Sequence, residues 1–159
     1  MRAAGSALGL ALAATIAVAA LDQFVKAAVR ARLAPGERVP IFGSWFRLSR
    51  VENPGVAFGL LRGRPRLAEL AATLATAALA ALALRSPSRP AALAAGLVLG
   101  GWAGNGLDRR RAGTVTDFLD LGVGQWRWPS FNLADAAIVS GATLLAEVLR
   151  QQGEGRTAS

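Results

Sequence analysis

The chain reads as an all-α integral membrane protein, with four transmembrane helices joined by a small β element and a second loop on the same side of the membrane. Three observations predict this. Of 159 residues, 53% are apolar. The mean hydropathy is positive. Four apolar stretches at 7–29, 67–84, 91–107 and 131–149 each approach the roughly 20 residues that cross a hydrocarbon core. The length suits one membrane-embedded domain over residues 1–150, with 151–159 as a disordered tail.

In the first stretch, Met1-Arg2, the apolar core and Ala17-Val18-Ala19 also fit a secretory signal peptide with a small-residue cleavage site. The run is long for a signal core, however, and it ends in Asp22-Gln23-Phe24-Val25-Lys26, an acid and a base four apart on one helical face. In the following loop, alternation around Phe46-Arg47-Leu48-Ser49, bounded by Pro40, Gly43 and Asn53-Pro54-Gly55, predicts one or two short strands. The second and third stretches owe much of their apolarity to alanine, which weakens the membrane signal; their number and spacing restore it. At the end of the third, Gly100-Gly101-Trp102-Ala103-Gly104 has the small residues of close helix packing in lipid. Asn105, Asp108 and Arg109 follow at once and are harder to explain as packing.

Four spans place the 30–66 and 109–130 loops on one side and both termini on the other. Asp22, Lys26, Asn53, Asn105, Asp108, Arg109, Asp117 and Asp135 then share one membrane face. Trp45, Trp126 and Trp128 fall in the same two loops, where indoles anchor at headgroup level. The arginine count alone would put these loops in the cytoplasm.

The chain has no histidine and no cysteine. It therefore builds no Ser/His/Asp triad, cysteine nucleophile, disulfide or His- or Cys-ligated metal site. Acid-base chemistry near neutral pH falls to paired carboxylates. The net charge of +8 comes almost wholly from arginine; scattered over membrane-flanking loops, it suits anionic headgroups, and no soluble basic module is present to bind nucleic acid. Asp135 lies in the first turn of the fourth stretch if Asn132 caps it, a position that the helix dipole favours. Asp117 stands among apolar and β-branched neighbours with no such structural reason, and Asp120 is its companion or competitor.

Taken together, Asp22-Gln23-x-x-Lys26, Asn53-x-Gly55-x-Ala57-Phe58, Gly104-Asn105-x-x-Asp108-Arg109, Val115-x-Asp117-Phe118 and Phe131-Asn132-x-Ala134-Asp135 resemble the bacterial lipoprotein signal peptidase family, signal peptidase II. The match runs in order from the first span to the fourth. The resemblance implies a cofactor-independent aspartic endopeptidase of the bacterial inner membrane that cuts diacylglyceryl-modified prolipoproteins just before the lipidated cysteine. Asp117 and Asp135 match the family's catalytic pair. Asn53, Gly55, Asn105, Asp108, Arg109 and Asn132 match positions that shape or bind the site, and Asp22 and Lys26 match a supporting motif. It further implies cytoplasmic termini with a cytoplasmic tail, an extracytoplasmic β element and an extracytoplasmic second loop, a site near the extracytoplasmic surface, contact with membrane lipids and inhibition by globomycin-type cyclic peptides. Pro54 and Val56 stand where the family more often has smaller residues.

Two other readings make different demands. A lipid phosphotransferase would gather Asp108, Asp117 and Asp120 around Mg²⁺. A non-enzymatic helical bundle would use the same polar residues only to pair with one another.

Overall fold

A computed structural model describes residues 2–54, 64–86 and 88–157. The chain order is α1 (Arg2–Arg32), β1 (Arg38–Phe42), β2 (Phe46–Asn53), α2 (Pro65–Leu84), α3 (Arg89–Ala112), β3 (Val115–Val123), β4 (Trp126–Arg127) and α4 (Leu133–Thr157). Helices α1 to α3 cover the first three expected apolar stretches, and α4 starts two residues into the fourth. By length and composition, Gly5–Arg32 is the one helix among the described residues apolar enough to cross a membrane, and Glu69–Ala83 is a shorter apolar helix. Alanine and glycine dilute hydropathy in α2 and α3, and α3 also ends in a polar run.

At the centre of the bundle lies α3, packed on α1, α4 and α2. Ser88 caps its start, with its hydroxyl accepting from the Ala91 amide at 3.3 Å. Gly113 ends it at φ 74°, in the left-handed region that a side chain resists. Glycines let the neighbours approach. A Cβ at Gly100 would lie 2.8 Å from the Thr15 carbonyl oxygen of α1, and one at Gly101 would collide with the Ala134 carbonyl of α4. The core between α2, α3 and α4 is correspondingly small in volume: Ala83, Ala94, Ala95 and Leu145, flanked by Leu79 and Leu144. The large apolar side chains point outward instead, among them Leu8, Leu12, Ile16 and Phe24 of α1, Leu70 and Leu74 of α2 and Val139 of α4.

The strands form one four-stranded antiparallel sheet in the order β1-β2-β3-β4. The hairpin of β1 and β2 fits the alternation in the first loop. The second loop, read from sequence simply as a loop, supplies β3 and β4. Its Val115-Thr116-Asp117-Phe118 is β-prone and buried throughout, but it gains a partner only when β2 arrives from some 60 residues away in sequence. Asn53 pairs with Val115 and Val51 with Asp117, which puts the Asn53 and Asp117 side chains diagonally on one face. Phe42, Trp45 and Phe46 stack at the far tip of the β1–β2 hairpin, with ring centroids 6.0 to 6.2 Å apart. Trp126 is exposed at the adjacent β3–β4 tip.

The tail expected to be disordered is a correction. Helix α4 continues to Thr157, held by Arg150 pairing with Glu147 and Glu154 one turn to either side and by Gln152 bonding Ser86 between α2 and α3.

Candidate active site

Five elements deliver the polar residues to one point: the C-terminal halves of α1 and α3, the end of β2, the inner end of β3 and the first turn of α4. The start of α4 is a reciprocal cap. The Asn132 side chain accepts from the Asp135 amide at 2.9 Å, and Asp135 Oδ2 accepts from the Asn132 amide at 3.3 Å. Between them, the Ala134 amide donates to Asp22 Oδ1 of α1 at 3.0 Å. The first apolar stretch is thus part of the site, because its aspartate satisfies a helix terminus that would otherwise be left without a partner.

Asp22 in turn pairs with Lys26 at 2.8 Å, and both are fully buried. Lys26 also contacts Asp108 Oδ2 at 3.3 Å and donates to Asn105 Oδ1 at 2.8 Å. Burial of the ammonium is tolerable because two carboxylates and an amide oxygen surround it. Gly104 makes room for this: a Cβ there would lie 2.7 Å from Asp22 Oδ2.

Asn105 and Asn132 connect this charged network to the two aspartates. Asn105 Nδ2 donates to Asp135 Oδ1 at 2.8 Å, and its oxygen, already held by Lys26, also accepts from Asn132 Nδ2 at 3.1 Å. Asn132 Nδ2 donates to Asp117 Oδ1 at 2.7 Å, while Asn53 Nδ2 donates to Asp117 Oδ2 at 3.0 Å. Asp117 and Asp135 are therefore bridged by shared amides, and both line a cavity of about 730 Å³. Arg38, Asn53, Asn105 and Arg109 give that cavity polar wall, and Val51, Val115, Trp128, Phe131 and Val139 give it apolar wall. The Asp117 pKa is raised to about 7, by burial first and by the neighbouring Asp135 charge second, against the opposing amides of Asn53 and Asn132.

Of the residues singled out in sequence, Asp22, Lys26, Asn53, Asn105, Asp108, Arg109, Asp117, Asn132 and Asp135 meet at this site or directly behind it. Gly55, with Ala57 and Phe58 of its motif, lies outside the described residues. Asp120 does not join them: its carboxylate faces Arg127 at 2.7 Å and Arg38 at 3.8 Å. Asp108 is turned to Lys26, Gln23, Arg30 and the Thr116 amide. The three carboxylates of the phosphotransferase reading therefore face different partners, and the described residues contain no metal-holding group of three acids.

Sequence reasoning missed Arg30, Thr116 and Glu52. Arg30 Nη1 donates to Thr116 Oγ1 at 3.0 Å and contacts Asp108 Oδ1 at 3.3 Å, and Glu52 Oε2 accepts from Thr114 and Thr116. Arg30 had a usable signal, since Asp22, Lys26 and Arg30 repeat every four residues on one helix face.

The sequence model for signal peptidase (SPase) II matches residues 14–150. A lipoprotein signal peptidase of Moorella thermoacetica is 43% identical over 141 residues, covering 86% of this chain and 91% of that protein. One of Burkholderia mallei is 40% identical over 149 residues, covering 91% and 89%. Two solved structures described as a bacterial membrane enzyme share the fold. The first has a TM-score of 0.82 at 23% identity over 92% of this chain and 91% of that one. The second has a TM-score of 0.76 at 24% identity, over 89% and 92%. With the family model spanning nearly the whole chain and relatives near 40% identity along its length, the protein belongs to the signal peptidase II family of aspartic peptidases, which cleave lipoprotein signal peptides.

Proposed function

We propose that Asp117 and Asp135 are the catalytic pair and that they cut a diacylglyceryl-modified prolipoprotein just before its lipidated cysteine. The observation carrying this is their position on one cavity wall, bridged by Asn105 and Asn132, with no cation paired to either among the described residues. Two carboxylates so arranged resist double ionisation and share one proton, titrating as a unit. The ionised partner takes a proton from water. The protonated partner hydrogen-bonds the scissile carbonyl as the water oxygen attacks its carbon. When the C–N bond breaks, the pair returns a proton to the leaving amine. Every proton is accounted for within the dyad and the water, so the scheme routes no step through a metal or organic cofactor.

In this reading Asn53 and Asn132 hold Asp117, Asn105 holds Asp135, and Asp22, Lys26 and Asp108 fix Asn105 and the start of α4. Arg109 and Gly55 shape the substrate's path. The outward Leu8, Leu12, Ile16 and Phe24 of α1 and the outward leucines of α2 face lipid, as befits four spans in the bacterial inner membrane. The exposed Trp45 and Trp126 anchor the sheet at the extracytoplasmic headgroups, and both termini are cytoplasmic. This orientation follows the family resemblance and runs against the arginine count of the two loops. Globomycin-type cyclic peptides would occupy the cavity and block cleavage.

The test is cleavage of a diacylglyceryl-modified prolipoprotein by the purified protein in detergent, with chelator present. Wild type is expected to cleave, and folded Asp117→Asn and Asp135→Asn to lose at least about 100-fold in rate. Full activity in either variant would assign the wrong carboxylates.

A further inference from the structure

A second cavity, of about 310 Å³, opens beside the catalytic network at the C-terminal ends of α1 and α3. Its wall carries three guanidinium groups, from Arg30, Arg50 and Arg111, together with Glu52, Asp108 and Thr116. The acids in this wall are already satisfied. Asp108 Oδ1 takes Gln23 and Arg30, and its Oδ2 takes Lys26 and the Thr116 amide. Glu52 Oε1 takes Arg50, and its Oε2 takes the Thr114 and Thr116 hydroxyls.

The arginines are not used up in return. Among the described residues, Arg30 bonds only through Nη1, to Asp108 and Thr116, and Arg111 only through Nη1, to Gln23 Oε1 at 3.1 Å. Arg50 spends Nε on Glu52 and Nη1 on the Arg30 and Leu33 carbonyls. Each guanidinium has five N–H donors, so several are left over on the three arginines that line this one small cavity. Counting Asp22, Lys26, Arg30, Arg50, Glu52, Asp108 and Arg111, four cations face three anions, which leaves one positive charge.

We propose that this notch binds a phosphate oxyanion, and that its occupant is the headgroup phosphate of an anionic phospholipid seated against α1. The position favours lipid: the notch lies at the end of α1 where that helix leaves its apolar run, the level at which phospholipid headgroups would meet it. Guanidinium matches the phosphate itself with paired donors. The bound headgroup would stiffen Arg30, and through it the Asp108 and Lys26 contacts that hold Asn105. This rests on the membrane disposition proposed above.

The test measures thermal stability of the full chain in zwitterionic detergent as phosphatidylglycerol, phosphatidylcholine or inorganic phosphate is added. Phosphatidylglycerol is expected to raise the melting temperature saturably and phosphatidylcholine to leave it unchanged. Arg111→Gln should weaken phosphatidylglycerol binding about fivefold, with Arg111→Lys intermediate and Arg150→Gln, at the far end of α4, like wild type. Equal responses to both lipids, or an unshifted titration in Arg111→Gln, would overturn the proposal. A matching response to inorganic phosphate alone would assign the notch to free phosphate and overturn the lipid assignment. Cleavage by wild type without anionic lipid reads the peptidase assignment separately, so failure of one leaves the other standing.

Discussion

Asp117 and Asp120 lie three residues apart on β3, both almost fully buried, at 2% and 3% exposure, yet they end in opposite chemical situations. Asp120, at the outer part of the sheet, is met by the Arg127 guanidinium, which also bonds the Asp120 and Gly122 carbonyls and the Ser44 carbonyl of the neighbouring hairpin. Asp117, at the inner end, is met among the described residues by neutral amides, with a second carboxylate nearby. A buried carboxylate given its own cation is a structural tie. One given amides and a like charge keeps a proton within reach at neutral pH and so can do acid-base work.

The sharpest way to break this contrast is to neutralise each aspartate. Asp117→Asn should abolish cleavage while leaving the fold intact, since the new amide oxygen can still accept from Asn132 and Asn53 can turn its own oxygen toward the new NH2. Asp120→Asn should keep measurable cleavage and melt earlier, because the partly buried Arg127 would be left without its anion. Equal loss of activity in both, by prolipoprotein cleavage assay on folded protein, would erase the distinction.

Next comes the cation behind the dyad. Lys26→Met strips the countercharge from Asp22 and Asp108 and is expected to lower stability by about 3–5 kcal/mol, the usual result of orphaning a buried charge. A chemical or thermal melt in detergent checks this, and an unchanged midpoint would mean that water replaces the ammonium. Gly104→Ala attacks the same network sterically by forcing Asp22 off its seat, and should lower both the melting temperature and kcat.

The pH dependence of stability sharpens the comparison further. Asp117 rises from 3.8 to about 7 on folding, so the folded state binds its proton more tightly than the unfolded state. Its contribution to stability is fully present below the unfolded value and is lost as pH climbs through about 7. Asp117→Asn should therefore lose less melting temperature between pH 5 and pH 8 than wild type does. Parallel curves for the two proteins would show that Asp117 titrates normally. The smallest effect is expected from Arg38→Gln, which removes only a half-exposed partner 3.8 Å from Asp120 and should shift stability by about 1 kcal/mol or less.

Much of the fold and of the site is legible in the amino-acid order. Apolar runs locate four helices, the absence of histidine and cysteine points to carboxylates, and Asn132 three residues before Asp135 announces the cap that opens α4. The i, i+4 spacing of Asp22 and Lys26 announces their pairing. These are local signals, carried by periodicity, side-chain chemistry and near neighbours along the chain.

What folding alone decided is non-local. Strand β3 exists because β2 pairs with it. Asp120 became a tie rather than a catalytic candidate because a two-residue return, β4, brought Arg127 back beside it. Residues beyond 150 became helix through side chains one turn away and a contact at the α2–α3 turn. Asn105 and Asn132 bridge the two aspartates only because glycines let α1 and α4 close on α3. Sequence determined which groups were available and which helix ends they would cap. Tertiary packing determined which carboxylate received a cation, since that depends on which segments meet, and pairing energy between distant segments leaves no periodic trace along the chain.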